Sequence, residues 1–340
     1  MLIVFCPLPF AHLIHALHNP PPVPAVSHEK KNMKQVWFWL LPALAWFGCK
    51  SVEKVAYTPE QLVPTEKSVF WKITGNGLNK PSYLLGTIHL IPASEFQLPA
   101  AASRSLDKVA RVTFEIDMKE MTSFRTQLSL MTKAMMAGGK TLKDLLPPED
   151  YAFVRQKLAD KGMPGGMLER MKPLFLSTML GSEEAGPATA DKMTSVEMEV
   201  YQLVRRRKLE SAGLETAAYQ MSVFDSIPYT AQAKMLVDGL RAAEKEVAQS
   251  EEESELNTML RLYREQDITA MQAMISNEDS GMAGYEDILL NNRNRNWIPI
   301  MGRMMREKPT LFAVGAGHLG GPKGVVARLR GAGYRVEVAQ

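Results

Sequence analysis

The sequence predicts an α/β (α+β) fold, a mixed central sheet built from N- and C-terminal strands with a largely helical middle region. Three observations lead there. Apolar runs with the composition of buried strands lie near both ends of the chain, at Tyr83–Ile88 and at Leu311–Val314. Between them, from Glu120 to about Ser280, apolar residues recur at helical spacing nearly throughout. Both terminal runs also close on one figure, Gly86-Thr87-Ile88-His89 and Gly315-Ala316-Gly317-His318. Of the six histidines, His12, His15, His18 and His28 precede residue 30, so His89 and His318 are the two left in the body of the protein. A single sheet drawing on both ends would bring them together.

Each element has its own signal. Ser68–Thr74 alternates and is rich in β-formers, and Gly75-Asn76-Gly77 with Asn79-Lys80 is turn chemistry, so this strand and the next form a hairpin. Pro99–Val109 reads as a helix, and Ala110–Asp117 as a strand that carries Glu115 among Val112, Phe114 and Ile116. In the middle region Pro147-Pro148-Glu149-Asp150 stops one helix and starts another. Met167–Leu180 follows with Pro173 as a start or kink, then Ser195–Arg207, and a short strand or strand–turn at Gly213–Thr216. Ala231–Gln249 and Glu252–Arg264 are amphipathic, and Asp287–Met305 is a helix that Pro299 must bend. A helix at about Pro322–Arg330 and a strand at Arg335–Val338 complete the chain, with no internal repeat.

Composition narrows the function classes. A formal charge of +3 on 340 residues gives no basic surface for nucleic acid. The dense run Arg205-Arg206-Arg207-Lys208 sits at a helix C-terminus, where the helix dipole favours cations. The 22 methionines read as soft core filler. Residues 1–32 are rich in proline and histidine and are read as a non-native upstream extension. From Met33, a lysine, about twelve apolar residues and Gly48-Cys49 resemble a lipoprotein-type signal peptide, with Cys49 as the lipidated residue. Trp46-Phe47 departs from that pattern, and an uncleaved anchor is the other reading. Residues 50–66 are a linker and 67–340 the folded domain. The protein is then expected in a bacterial cell envelope, held to a membrane by lipid. Cys6 is the other cysteine, so the mature domain has no thiolate ligand to offer.

Gly315-Ala316-Gly317-His318-Leu319-Gly320 also satisfies G-x-G-x-x-G between a strand and a helix. No second half follows before Gln340, and a histidine would crowd a pyrophosphate, so no nucleotide partner is expected.

Several of these segments together resemble the TraB/GumN family of pheromone-shutdown and Tiki-like metalloprotease proteins. They are Pro81–His89, Phe114-Glu115-Ile116-Asp117, Lys172-Pro173, Gly213-Leu214-Glu215-Thr216, Arg293-Asn294 and Val314–His318, in that order. The resemblance covers about Ser68–Val338. It implies a metal-dependent, peptidase-like site using manganese or cobalt, in a sheet shared by the two halves. Many members have Asp in the helix before Leu-Glu-Thr where this chain has Glu197, which leaves that position in doubt as a site residue.

The residues themselves suit such chemistry. Two imidazoles with one or two carboxylates bind a borderline divalent metal, and zinc or iron would also be accepted. His89 and His318 are the expected metal ligands. Glu115 is expected as a ligand or as a general base, with a solvated sheet face as its bland alternative. Glu215 would be a second ligand or a partner orienting a histidine, or else a cap or ion-pair residue. Arg293 would hold a substrate carboxylate or developing oxyanion, or else pair with a structural carboxylate. Gly86 and Gly315 would let the backbone approach closely. The expected function is an exported, lipid-anchored hydrolase acting on a peptide or protein. The alternative is an envelope or signalling factor that binds a peptide, metal or haem without turnover.

Overall fold

The turn at Gly75-Asn76-Gly77 places three successive residues at positive φ, a conformation open to glycine and tolerated by asparagine. It joins β1 (Phe70–Thr74) to β2 (Ser82–Thr87) as the expected antiparallel hairpin, with Trp71 opposite Leu84. The structure is a computed structural model that describes residues 54–163, 165–182, 193–248, 255–276 and 284–340. The extension at 1–32, the signal-peptide pattern at 33–49 and Cys49 lie outside the described residues.

Six further strands follow: β3 (Ile91–Pro92), β4 (Arg111–Ile116), β5 (Met193–Thr194), β6 (Glu210–Glu215), β7 (Thr310–Gly315) and β8 (Arg335–Val338). The main sheet has the order β6-β4-β7-β2-β1-β8, while β3 and β5 form a separate two-stranded pair. The sheet is mixed, as predicted. β6, β4, β7 and β2 run parallel as one block, and β1 and β8 add antiparallel at the edge. Helices cover both faces, which is why Leu311–Val314 is continuously apolar. Leu311 and Ala313 enter one core with Leu85 and Phe114, and Phe312 and Val314 enter the other with Trp71, Leu84 and Trp297.

The middle region is helical as the spacing predicts. Pro173 starts its helix (Pro173–Ser182), Ser195 caps Val196–Arg207, and long helices cover Tyr229–Ala248 and Glu255–Arg264. Pro299 lies inside the continuous helix Asn292–Glu307; it is exposed, as is Arg295, whose carbonyl loses its partner to the missing N–H. The irregularity falls earlier, in a π-helical turn at Asp287–Asn291. Residues 54–66, read as linker, carry a one-turn helix (Pro59–Leu62) and dock on the domain. Val55 N–H donates to the Gly333 carbonyl, and Arg330 reaches both the Gln61 carbonyl and Glu66.

Gly213 shows how tightly the site end of the sheet is packed. A Cβ there would lie 2.5 Å from the Asp117 backbone nitrogen and 2.9 Å from the Glu215 carbonyl oxygen, neither of which is a flexible side chain. Gly213→Ala is therefore expected to cost about 1–3 kcal/mol. A urea midpoint unchanged from wild type would refute that tight approach.

Candidate functional site

Parallel neighbours end on the same edge of a sheet, and that edge is where open α/β sheets bind ligands. Here the block of four parallel strands delivers one chemistry-bearing residue from each. β6 ends in Glu215, β4 carries Glu115 one residue from its end, β7 runs into Gly315 and His318, and β2 into Thr87 and His89. The two Gly-x-x-His figures are adjacent because β2 and β7 pair directly, Gly86 against Val314 and Thr87 against Gly315. Gly86 serves this approach: a Cβ would meet Ala316 and Leu319 at 3.1 Å.

Arg293 is the centre of the cluster. It is fully buried, and its five N–H donors meet five acceptors. Nε donates to Glu215 Oε1 (3.0 Å) and Oε2 (3.3 Å), and Nη2 to Glu215 Oε1 (2.6 Å) and Glu115 Oε2 (2.5 Å). Nη1 donates to the Leu289 carbonyl (3.1 Å) and faces His318 Nε2 (3.3 Å). No donor is left over for a substrate carboxylate in this arrangement; the partners are the protein's own acids. Trp297, one turn along the same helix, lies under the guanidinium (5.0 Å), tilts against the His318 ring (4.6 Å) and donates its Nε1 hydrogen to Glu215 Oε2 (3.1 Å).

Glu115 therefore has a partner on each oxygen, since Gly315 N–H donates to Oε1 at 2.9 Å. Burial alone would push this carboxyl up; Arg293, both histidines and the Gly315 N–H outweigh it and hold the pKa at about 2. Glu215 goes the other way: burial raises it, and the neighbouring Glu115 charge adds to that against the pull of Arg293.

The two histidines are held differently. The Asn294 amide donates to the carbonyls of His318 (3.4 Å) and Lys323 (3.1 Å), so its oxygen is the atom facing His318 Nδ1, at 2.6 Å. Nδ1 of His318 thus carries the hydrogen, and the Nε2 lone pair accepts from Arg293 Nη1, with Glu115 Oε1 3.6 Å away. Burial, with Arg293 and His89 nearby, lowers the His318 pKa to about 3 against the pull of Glu115, so the ring is neutral. His89 faces Glu197 instead, Nδ1 to Oε1 at 2.8 Å, and the same oxygen accepts the Thr87 hydroxyl at 2.5 Å. Burial disfavours the His89 charge, but Glu197 and Glu115 together raise its pKa, while His89 and Thr87 overcome burial to lower that of Glu197.

The five residues expected from sequence, His89, Glu115, Glu215, Arg293 and His318, meet in this one cluster. Glu197, left in doubt, joins it, as do Thr87, Asn294, Trp297 and Gln220, to which no role was given. The spacing 293, 294, 297 on one helical face was the legible signal for two of them. Lys172, from the Lys-Pro motif, stands apart, buried and paired with Asp225 at 2.5 Å.

A cavity of about 20 Å³ lies among His89, Glu115, Glu197, Gln220 and the apolar Phe114, Ile116, Met118 and Met121. That is room for one water or one ion. Around it, both ring nitrogens of His89 and Glu197 Oε2 are buried without an aligned hydrogen bond. Three carboxylates against one guanidinium leave an excess of negative charge buried together, which a proton on His89 or a bound cation would offset. Among the described residues no three His, Cys, Asp or Glu side chains are gathered closely enough to enclose an ion as they stand. The fit to a divalent metal rests instead on donor chemistry and the cavity: of the expected donors His89 and Glu115 line it, whereas His318 Nε2 faces Arg293 Nη1 and Glu215 is committed to Arg293 and Trp297.

The TraB/PrgY/gumN family profile matches residues 69–338. Metalloprotease TIKI1 of Danio rerio is 22% identical over 310 residues, covering 76% of this chain and 60% of that protein, so the chain spans less than two thirds of its relative's length. No solved structure matches the chain. With the family match running from β1 to β8 and including every residue of the cluster, the chain belongs to the TraB/PrgY/gumN family.

Proposed function

We propose that the protein is a metal-dependent, peptidase-like hydrolase, exported and anchored to a bacterial envelope membrane by lipid on Cys49. The observation that carries the catalytic part is the one-ion cavity beside a buried histidine whose two nitrogens lack aligned partners. The metalloprotease name of the distant relative supports the reaction class. The anchor rests on the sequence pattern at Met33–Cys49; no helix among the described residues is long and apolar enough to cross a membrane.

His89 and Glu115 would hold the ion, with His318 as a third donor once its Nε2 gives up Arg293 Nη1; manganese or cobalt is favoured by the resemblance, and zinc or iron would be accepted by the same donors. When bound, such an ion supplies Lewis-acid polarisation of a peptide carbonyl and acidifies a coordinated water. The chain's own groups do the rest. A carboxyl held at about 2 is a poor proton acceptor at neutral pH, so Glu115 acts as fixed negative charge and ligand and not as general base. Asn294 keeps the His318 lone pair on Nε2, and Arg293 keeps Glu115 and Glu215 apart and ionically satisfied.

The test is metal content of the purified full chain after exposure to manganese or cobalt, beside His89→Ala and His318→Ala, with cleavage of an unstructured protein followed in the same samples. The expected result is near-stoichiometric metal in the wild type, loss in both variants, and cleavage that tracks occupancy. Full occupancy without cleavage would favour the non-catalytic binding factor. A wild type that takes up neither metal would sink the metal reading.

A further inference from the structure

His89 sits at a bend two residues beyond β2, and such a position ordinarily leaves a side chain loosely placed. Here the chain clamps it from a second segment more than a hundred residues away. Ile91 and Pro92 of β3 pair with Thr194 and Met193 of β5. Val196 N–H donates to the Ile88 carbonyl at 3.1 Å. The Thr87 hydroxyl donates to Glu197 Oε1 at 2.5 Å. On the other side of the strand the Tyr263 hydroxyl holds the Gly86 carbonyl at 3.1 Å. The β3–β5 pairing, the Val196 N–H bond and the Thr87 hydroxyl together set the register between the His89 loop and the start of the helix Val196–Arg207. What that register delivers is Glu197, in the first helical turn, where the dipole favours a carboxylate, against His89 Nδ1.

We propose that Glu197, held by Thr87, is the positioning residue for His89: it fixes the neutral ring with its hydrogen on Nδ1 and its lone pair on Nε2, available to an ion in the cavity. The His89 N–H direction misses an aligned hydrogen bond, as both ring nitrogens do. Two lone pairs 2.8 Å apart in a buried site would repel, however, so Nδ1 is the protonated nitrogen. A carboxylate behind an imidazole also raises its basicity as a ligand. The role of the ion rests on the metal-dependent reading above; the assignment of the tautomer does not.

The experiment therefore has two readouts. Imidazole ¹⁵N spectra of the metal-free full chain, taken above the titration of the ring and assigned by the His89→Asn difference, report which nitrogen carries hydrogen. Calorimetric cobalt titration reports affinity. Wild type is expected to show Nδ1–H at His89. Glu197→Leu, which removes the acceptor and offers no donor in its place, is expected to release the Nδ1 hydrogen, giving mixed tautomers, and to weaken cobalt binding about 10–100-fold. Thr87→Val leaves the carboxylate in place and is expected to loosen it, giving a smaller shift and a smaller loss. A wild-type ring protonated on Nε2, or a Glu197→Leu ring still protonated on Nδ1 alone, would overturn the proposal. If wild type binds no cobalt, the metal reading fails alone and the tautomer result still decides the role of Glu197. Should Glu197→Leu not fold, Thr87→Val carries the same decision.

Discussion

Arg293→Met is expected to remove at least about 3–5 kcal/mol from the folding free energy. The guanidinium is fully buried and bridges Glu115 and Glu215, so its loss leaves two carboxylates facing one another in the interior with no counter-charge. Each of them would have to protonate or draw in water. Methionine fills much of the lost volume, which separates the charge effect from a cavity effect. Adding Glu115→Gln and Glu215→Gln to Arg293→Met should return a large part of the loss, because the uncompensated charges are then gone. Arg293→Lys should rescue little, since one ammonium has three donors where five acceptors are arranged around a planar fork. Urea midpoints at neutral pH decide the matter. A loss under about 1 kcal/mol for Arg293→Met would mean the two acids are screened by something other than this residue.

The second large effect is acid sensitivity from His318. Its folded pKa is about 3, against about 6.5 when unfolded. Between those values the unfolded chain binds a proton that the folded chain refuses, so stability falls as pH falls through that window. One such proton is worth about 1.4 kcal/mol per pH unit, or roughly 3 kcal/mol between pH 6.5 and 4. Glu115, held at about 2, adds to the loss only below its unfolded value near 4.5, and is lost fully as pH falls through 2. His89 has the opposite sign. Its folded pKa is raised, so its contribution is present below the unfolded value and fades as pH rises through the folded one. Between pH 4.5 and 6.5 the comparison of wild type with His318→Gln therefore isolates His318. The wild-type plot of stability against pH should be steeper there by about one proton. Parallel plots would show that His318 is charged in the folded protein.

The sequence by itself determined the sheet and the address of the site. Continuous apolar runs such as Leu311–Val314 can be buried only on both faces, which is the condition of a central parallel strand, and helical spacing marked the middle region. The two Gly-x-x-His figures, alone in carrying the domain's histidines, marked where the strands stop. Local pattern reaches that far because side-chain periodicity is a property of one segment at a time. Partnerships belong to pairs of segments, and these the tertiary structure alone decided. Arg293, which reads equally well as a substrate clamp, has every donor taken by Glu115, Glu215, His318 and Leu289 once β4, β6 and the helix from Asn292 converge. Glu197, set aside because a shorter acid is usual there, reaches His89 because β3 pairs with β5 and brings a helix start beside the bend. The protonation of the two histidines was likewise beyond the sequence. It depends on which oxygen, Asn294 Oδ1 or Glu197 Oε1, stands within 3 Å of Nδ1 in the folded chain.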